Sequence, residues 1–362
     1  MKKKVLIIDD SALMRRVLSD IINLDDRFQV TKTAVDGLEG LEILRNGAKE
    51  FDAVILDINM PRMNGIELLE SLKEQNIKTT VIVVSTIAKK DATETIRALE
   101  LGAFDFVKKP DSYLEVKSNL FSDSILECLA VATKANPKSG NDIIQLNVQQ
   151  TQPVSKLMNK KMPVTVNQNT SKLVAIACST GGPKALHVVI PKLPGNLDAG
   201  ILIVQHMPAG FTKSLADRLN ELSALTVKEA EDGDIITKGT VYIAKGGYQM
   251  RIKKFENGCQ GISISAEPAR HGLLPCADIM YEALENIEID QITCVVLTGM
   301  GGDGTAGIRR LNKKQNIYVI AQDEETSIVY GMPKVIKDAG LVDEVAALND
   351  IADAITKNVG VR

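Results

Sequence analysis

The chain has 362 residues, 44% apolar and 25% charged, which suits two globular domains better than one. Its net charge of −3 comes without a basic block or an acidic tail, which argues against nucleic acid as a partner. Only Val5–Ile8 separate the N-terminal lysines from Asp9, and no apolar stretch nears the ~20 residues of a membrane span, so a cytoplasmic protein without membrane insertion is expected.

Taken in chain order, four short apolar runs open the sequence: Val5–Ile8, Ala53–Leu56, Val81–Val84 and Phe104–Val107. A fifth, weaker one fits Val30–Ala34, and helix-period segments such as Leu13–Ile22 and Ile66–Lys73 lie between them. Strands alternating with helices predict βαβ units and a five-stranded parallel sheet covered on both faces. An amphipathic helix is expected from about Glu115 to Ala132, closing a first domain of residues 1–132.

In this first domain the polar residues fall at strand ends. Asp9 and Asp10 follow the first run, and Asp57 ends the buried second one within Ile55-Leu56-Asp57-Ile58-Asn59-Met60-Pro61. Ser85 and Lys109 close the two later runs. Carboxyl ends of parallel strands converge on one crevice, so three carboxylates, a hydroxyl and an ammonium gather there. Such a cluster needs a cation; oxygen ligands suit Mg²⁺, which also takes phosphate oxygens. A carboxylate beside Mg²⁺ and Lys109 can then accept a phosphoryl group, with Ser85 reporting its arrival. Asp9 and Asp10 alone could equally be helix caps. Residues 1–112 as a set resemble a response-regulator receiver domain. That resemblance implies Asp57 as phospho-acceptor, with Asp9, Asp10 and the Asn59 backbone carbonyl completing the metal site. It also implies Ser85, Lys109 and the aromatic Phe106 as switch residues, and a histidine kinase as phosphodonor.

Composition then shifts. Between Lys134 and Lys172 there are eleven Asn or Gln residues, three prolines and no aromatic residue, too little apolar area to offset chain entropy. Residues 133–172 therefore read as a flexible linker. Beyond it, apolar runs at Leu173–Ala177, Ile201–Val204, Val241–Ala244, Thr293–Leu297 and Tyr318–Ala321 read as strands. Helical patterns fit Lys184–Leu193, Thr212–Leu222, Asp278–Ile287, Ile308–Lys314 and Asp350–Lys357. Punctuation at Gly233–Asp234 and Gly246–Gly247 suggests a hairpin inserted into this second α/β domain, doubly wound and mainly parallel, of residues 173–362.

Three candidate groups each close a strand of the second domain. Ser179 lies in Cys178-Ser179-Thr180-Gly181-Gly182, a strand–turn–helix pattern that resembles a nucleophile elbow but has Ala177 where a glycine usually stands. The same small residues also build phosphate sites, so the motif by itself admits both. His206, in Gln205-His206-Met207-Pro208, sits where a general base for Ser179 would; His187 falls inside a helical pattern. Asp303, in Thr298-Gly299-Met300-Gly301-Gly302-Asp303-Gly304, can orient an imidazole or cap a helix above a phosphate. The five cysteines (Cys128, Cys178, Cys259, Cys276 and Cys294) make no metal or disulfide pattern and are expected to be free thiols.

With Ala321-Gln322-Asp323-Glu324 and Gly331-Met332-Pro333, these segments resemble the CheB-type protein-glutamate methylesterase domain. The resemblance implies Ser179 as nucleophile, His206 as base, Asp303 as its orienting carboxylate, the Met300 amide in the oxyanion hole and Thr180 lining the site. It further implies a γ-glutamyl methyl ester on cytoplasmic helices of methyl-accepting chemoreceptors as substrate, cleaved without a cofactor during chemotactic adaptation. Glutamine deamidation passes through a similar intermediate. The pattern departs at Ala177, at Lys245 and Gln249 (usually Pro and His), and over Gly272–Ala277. These departures keep a second reading open: a phosphorylation-controlled binding protein whose hydrolase domain is inactive.

Overall fold

The computed structural model describes residues 1–86, 88–110, 119–135, 171–255 and 259–362. The expected linker lies outside the described residues apart from its two ends, as does the start of the helix expected from about Glu115.

The N-terminal half alternates strand and helix: β1 (Lys3–Ile8), α1 (Ala12–Leu24), β2 (Phe28–Ala34), α2 (Gly37–Gly47), β3 (Ala53–Asp57), α3 (Gly65–Glu74), β4 (Val81–Ser85), α4 (Lys89–Glu100), β5 (Asp105–Lys108) and α5 (Asn119–Ala132). Its sheet runs β2-β1-β3-β4-β5, parallel throughout. All five residues of β3 are buried, which is why that stretch reads as a continuous apolar run. Leu6, Ile8, Leu56 and Val83 pack on one face of the sheet, while Val5, Ile7, Ile55 and Val84 pack on the other. Helices start at side-chain caps: Ser11 for α1, Asp36 for α2, and a reciprocal Asn64–Glu67 box for α3.

The C-terminal half contains β6 (Lys172–Cys178), α6 (Gly182–Val189), β7 (Gly200–Gln205), α7 (Phe211–Leu222), β8 (Thr226–Glu229), β9 (Thr240–Ile243), β10 (Gln249–Lys254) and β11 (Gln260–Ser265). It continues with α8 (Ala277–Ala283), β12 (Gln291–Val296), α9 (Thr305–Leu311), β13 (Ile317–Gln322), α10 (Met332–Asp338), β14 (Glu344–Ala346) and α11 (Ile351–Val359). Seven strands pair in the order β14-β13-β12-β6-β7-β9-β8, every pair parallel. The chain moves from β6 to β7 on one side and later returns to β12 on the other. The crevice above β6 is therefore the topological switch point, where open α/β sheets bind ligands.

Three details differ from the sequence reading. The antiparallel hairpin is β10–β11, which follows Gly246–Gly247, while Gly233–Asp234 only turns the chain between β8 and β9. Strands β8 and β14 are additional; both lie at sheet edges, where short polar-mixed segments (Thr226–Glu229 and Glu344–Ala346) carry no apolar run. Helix α10 begins at Met332 behind Gly331, in a stretch the periodicity left unassigned.

The largest fully buried side chain is Tyr281 on α8, whose hydroxyl donates to the carbonyls of Ala175 (3.0 Å) on β6 and Val295 (3.4 Å) on β12. It locks a helix to the two central strands. Tyr281→Phe should lower stability by about 1 kcal/mol, read as a lowered thermal midpoint, since it removes one buried donor and little volume.

Candidate active site

Ser179, His206 and the loop bearing Asp303 follow β6, β7 and β12, three adjacent strands. Pairing of Cys178 with Gln205 brings Ser179 and His206 level at the sheet edge. Their backbones are pinned there. The Ser179 amide donates to Thr298 O (3.1 Å), and the His206 amide donates to Cys178 O (3.1 Å). Gln205 Nε2 donates to Ser179 O (3.0 Å). The two side chains and Asp303 line one cleft of about 930 Å³. Asp303 Oδ2 stands 2.7 Å from His206 Nε2, so Nδ1 is the imidazole nitrogen not claimed by the carboxylate. Among the described residues no hydrogen bond joins Ser179 Oγ to the ring; such bonds are often long before substrate arrives.

Asp303 is unusually well held. Five donors reach its carboxylate: His206 Nε2, the amides of Ala277 (2.6 Å), Asp278 (3.0 Å) and Gly304 (3.0 Å), and the Cys276 thiol (3.1 Å). Burial alone would push this carboxyl up. The His206 hydrogen bond and charge, joined by the Asp278 and Ala277 amides, outweigh it and hold the group at about 2. Asp278, also buried, takes the amides of Gly304 (3.0 Å) and Gly307 (2.7 Å) and so ties the start of α8 to the Asp303 loop. Gly304 meets that turn with φ of +92°, a conformation open to glycine and costly for other residues.

The remaining expected residues fall around the same cleft. Met300 lies at its rim, half exposed, and its amide has no internal partner among the described residues. Thr180 lines the cleft, with its carbonyl held by Thr298 Oγ1 at 3.0 Å. His187 is on α6, as its helical pattern suggested. His271, left without a role by the sequence, also lines the cleft. Three of the departures have a packing account. Ala177 is a fully buried strand residue, Gln249 is fully buried and hydrogen-bonded to the Cys276 amide (2.9 Å), and Lys245 Nζ lies 5.0 Å over the Tyr248 ring. Sequence reasoning missed Cys276, Asp278 and Thr298, whose only signal is a position near an element's end.

In the N-terminal half, Asp9, Asp10 and Asp57 bring carboxylate oxygens within 4.8 Å of one another. Lys109 Nζ contacts Asp57 Oδ2 at 2.7 Å and Asp9 Oδ2 at 3.1 Å. Burial pushes the Asp57 carboxyl up despite Lys109, and the pair of carboxylates pushes the Lys109 ammonium up despite burial. One ammonium against three carboxylates leaves an excess of negative charge that a divalent cation fits. The Ser85 hydroxyl receives a hydrogen bond from Thr95 Oγ1 on α4 (2.8 Å).

The two halves meet over the cleft. Phe106 of β5 packs on Phe211 at the start of α7, ring centroids 4.5 Å apart. Glu100, the last residue of α4, takes Arg218 Nε (2.7 Å) and Nη2 (3.1 Å) from α7. His187 Nε2 stands 2.9 Å from the same carboxylate. Asp105 is half-buried against the second half; desolvation pushes its carboxyl up to about 6, opposed by the Phe106 amide and the Thr180 hydroxyl that bond to it. Asp105, Phe106 and Lys108 thereby line the cleft that holds Ser179.

Comparison with known proteins follows these two halves. The model of the CheB methylesterase family matches residues 174–355, and that of the response regulator receiver domain matches residues 5–119. A protein-glutamate methylesterase/protein-glutamine glutaminase 1 of Syntrophomonas wolfei is 40% identical over 359 residues, covering 98% of each chain. A protein-glutamate methylesterase/protein-glutamine glutaminase of Pyrococcus horikoshii is 40% identical over 358 residues, covering 99% of this chain and 94% of its own. The crystal structure of the Thermotoga maritima CheB methylesterase catalytic domain superposes with a TM-score of 0.50 at 41% identity, covering 52% of this chain and 98% of that one. None of the described helices is long and apolar enough to cross a membrane.

The depressed Asp303 carboxyl has a consequence for stability. Its folded value of about 2 lies below the ~3.9 of an unfolded aspartate, so its contribution is complete above pH 4 and lost as pH falls through about 2. Asp303→Asn should remove about 2 kcal/mol of the difference in unfolding free energy between pH 5 and pH 2, measured by denaturant titration at each pH.

Proposed function

The chain belongs to the CheB family of protein-glutamate methylesterases, response regulators of chemotaxis, and on that premise we propose that Ser179, His206 and Asp303 act as its catalytic triad. The observation that carries the reading is the 2.7 Å contact of Asp303 with His206, beside Ser179 on the neighbouring strand end.

Ser179 Oγ attacks the carbonyl carbon of a γ-glutamyl methyl ester on a chemoreceptor helix, while His206 Nδ1 takes the hydroxyl proton. Asp303 holds the ring and stabilises its charged form. The Met300 amide faces the oxyanion, and the small residues around Gly181–Gly182 let substrate approach. His206 returns the proton to the departing methoxide. Methanol leaves, and water, deprotonated by His206, frees Ser179 and the glutamate product. Glutamine passes through the same steps with ammonia as leaving group. No step calls for a cofactor.

In the receiver half, Asp57 accepts the phosphoryl group from a chemotaxis histidine kinase. Asp9, Asp10, Asp57 and the Asn59 carbonyl would hold a Mg²⁺, which would neutralise charge on the phosphoryl oxygens. Lys109 pairs with the modified carboxylate, and Ser85 turns toward it, leaving Thr95. Because Thr95 and Glu100 share α4, that movement strains the Glu100–Arg218 contact. Phe106 leaves Phe211, Asp105 releases Thr180, and the cleft opens to a receptor helix. The domain limits 1–132, 133–172 and 173–362 suit this division of labour.

Ser179→Ala and His206→Gln should each cut methanol release from methylated receptor membranes by at least ~10²-fold. Release persisting in Ser179→Ala would favour some other nucleophile, and no release from the wild-type protein would favour a binding protein with an inactive hydrolase domain. Arg218→Ala should raise unphosphorylated activity by about two- to fivefold, the worth of one partly exposed ion pair, and a fragment of residues 173–362 should raise it further. A folded fragment no more active than the full chain would count against covering of the cleft by the receiver.

A further inference from the structure

The carboxylate of Asp303 has two oxygens with different neighbours. Oδ2 faces His206 Nε2 and the Ala277 amide, whereas Oδ1 takes the Cys276 thiol together with the Asp278 and Gly304 amides. Four of the five donors are thus fixed by main chain or by the base itself. The fifth is a side chain whose identity can be changed.

We propose that Cys276 is a positioning residue of the esterase reaction, its thiol donating to Asp303 Oδ1 so that Oδ2 stays on His206. The inference rests on the triad reading given above. A carboxylate only accepts hydrogen bonds, so at 3.1 Å the sulfur must be the donor. The thiol keeps its proton throughout the working range, because burial foremost, and then the Asp303 charge, push it up to about 12 against the Ile279 amide. Cys276 itself is only 1% exposed, so its thiol is directed inward onto the carboxylate.

Cys276 is itself held from behind. Its amide donates to Gln249 Oε1 (2.9 Å), and Gln249 Nε2 donates to Leu273 O (3.2 Å), so a fully buried glutamine on β10 fixes the segment leading into α8. A line of contacts runs Gln249–Cys276–Asp303–His206, and only its last two members line the cleft. Cys276 therefore acts on turnover and not on substrate binding. Without the thiol, Oδ1 loses one donor, the carboxylate is free to turn, and Oδ2 is held less firmly on His206. The charged ring is then less favoured, which weakens the base and moves its protonation to lower pH.

The test uses the full-length protein activated by a small-molecule phosphodonor, with methanol release from methylated receptor membranes followed against receptor concentration and pH. Cys276→Val keeps the volume without the donor, and its β-branch suits the extended backbone there (φ −121°, ψ 129°). Cys276→Ser keeps a donor. Cys276→Val should lower kcat by about tenfold at unchanged KM and move the acid limb of the kcat/KM profile downward by about half a pH unit. Cys276→Ser should stay within about twofold of wild type. Cys276→Ala, a second donor-free variant, should show the same downward pH shift and serves if the valine protein does not fold. Wild-type kcat and pH profile in the valine or alanine protein would overturn the proposal, as would equal loss in the serine and valine proteins. In that experiment Ser179→Ala separates the two levels: methanol release surviving there would overturn the triad itself, and the role of Cys276 with it.

Discussion

A buried carboxylate must be paid for in donors, and around Asp303 that requirement organises the catalytic half. Three backbone amides, a thiol and an imidazole converge on two oxygens. To supply them, the loop after β12, the start of α8 and the end of β7 must meet above β6. Asp278 repeats the arrangement one step away, accepting from Gly304 and Gly307. The donors that keep Asp303 charged also fix where His206 can stand, so the electrostatics of the carboxylate and the geometry of the imidazole share one cause.

The same economy appears in the N-terminal half. Three carboxylates crowd one crevice, and Lys109 bridges Asp9 and Asp57 without balancing them. Both halves thus use the carboxyl ends of parallel strands, where backbone amides and loops leave room for charge. They differ in how that charge is compensated. Asp303 is met by donors from its own fold, whereas the Asp9–Asp10–Asp57 cluster carries an excess suited to a divalent cation and a phosphoryl group.

Between these centres lies a short physical path. Thr95, midway along α4, touches the Ser85 hydroxyl, and Glu100 meets Arg218 and His187 at the end of the same helix. Phe106 and Asp105, on the strand just before Lys109, reach Phe211 and Thr180. A change at Asp57 therefore has only one helix and one strand to cross before it meets the residue next to Ser179. The partly exposed ion pairs at this boundary are individually weak.

Much of this was legible in the sequence. Buried parallel strands announce themselves as apolar runs, and chemistry placed at their ends follows from the pleat and the crossover rule, so Asp57, Lys109, Ser179, His206 and Asp303 stood out before any coordinates. Edge strands β8 and β14 did not, because a half-solvated strand needs no apolar run. Nor did Asp278, Glu100 and Arg218, while Gln249 and Cys276 showed only as a departure from a family pattern and as a free thiol. Sequence by itself determined two parallel α/β units and the side chains at their strand ends, since periodicity and strand direction are local properties of the chain. Tertiary structure alone decided that Asp303 reaches His206 through Nε2, that a thiol joins its donors, and that β5 and α4 lie over the Ser179 cleft. Those are distances between segments far apart in the chain, set by packing and by hydrogen-bond satisfaction that no local pattern encodes.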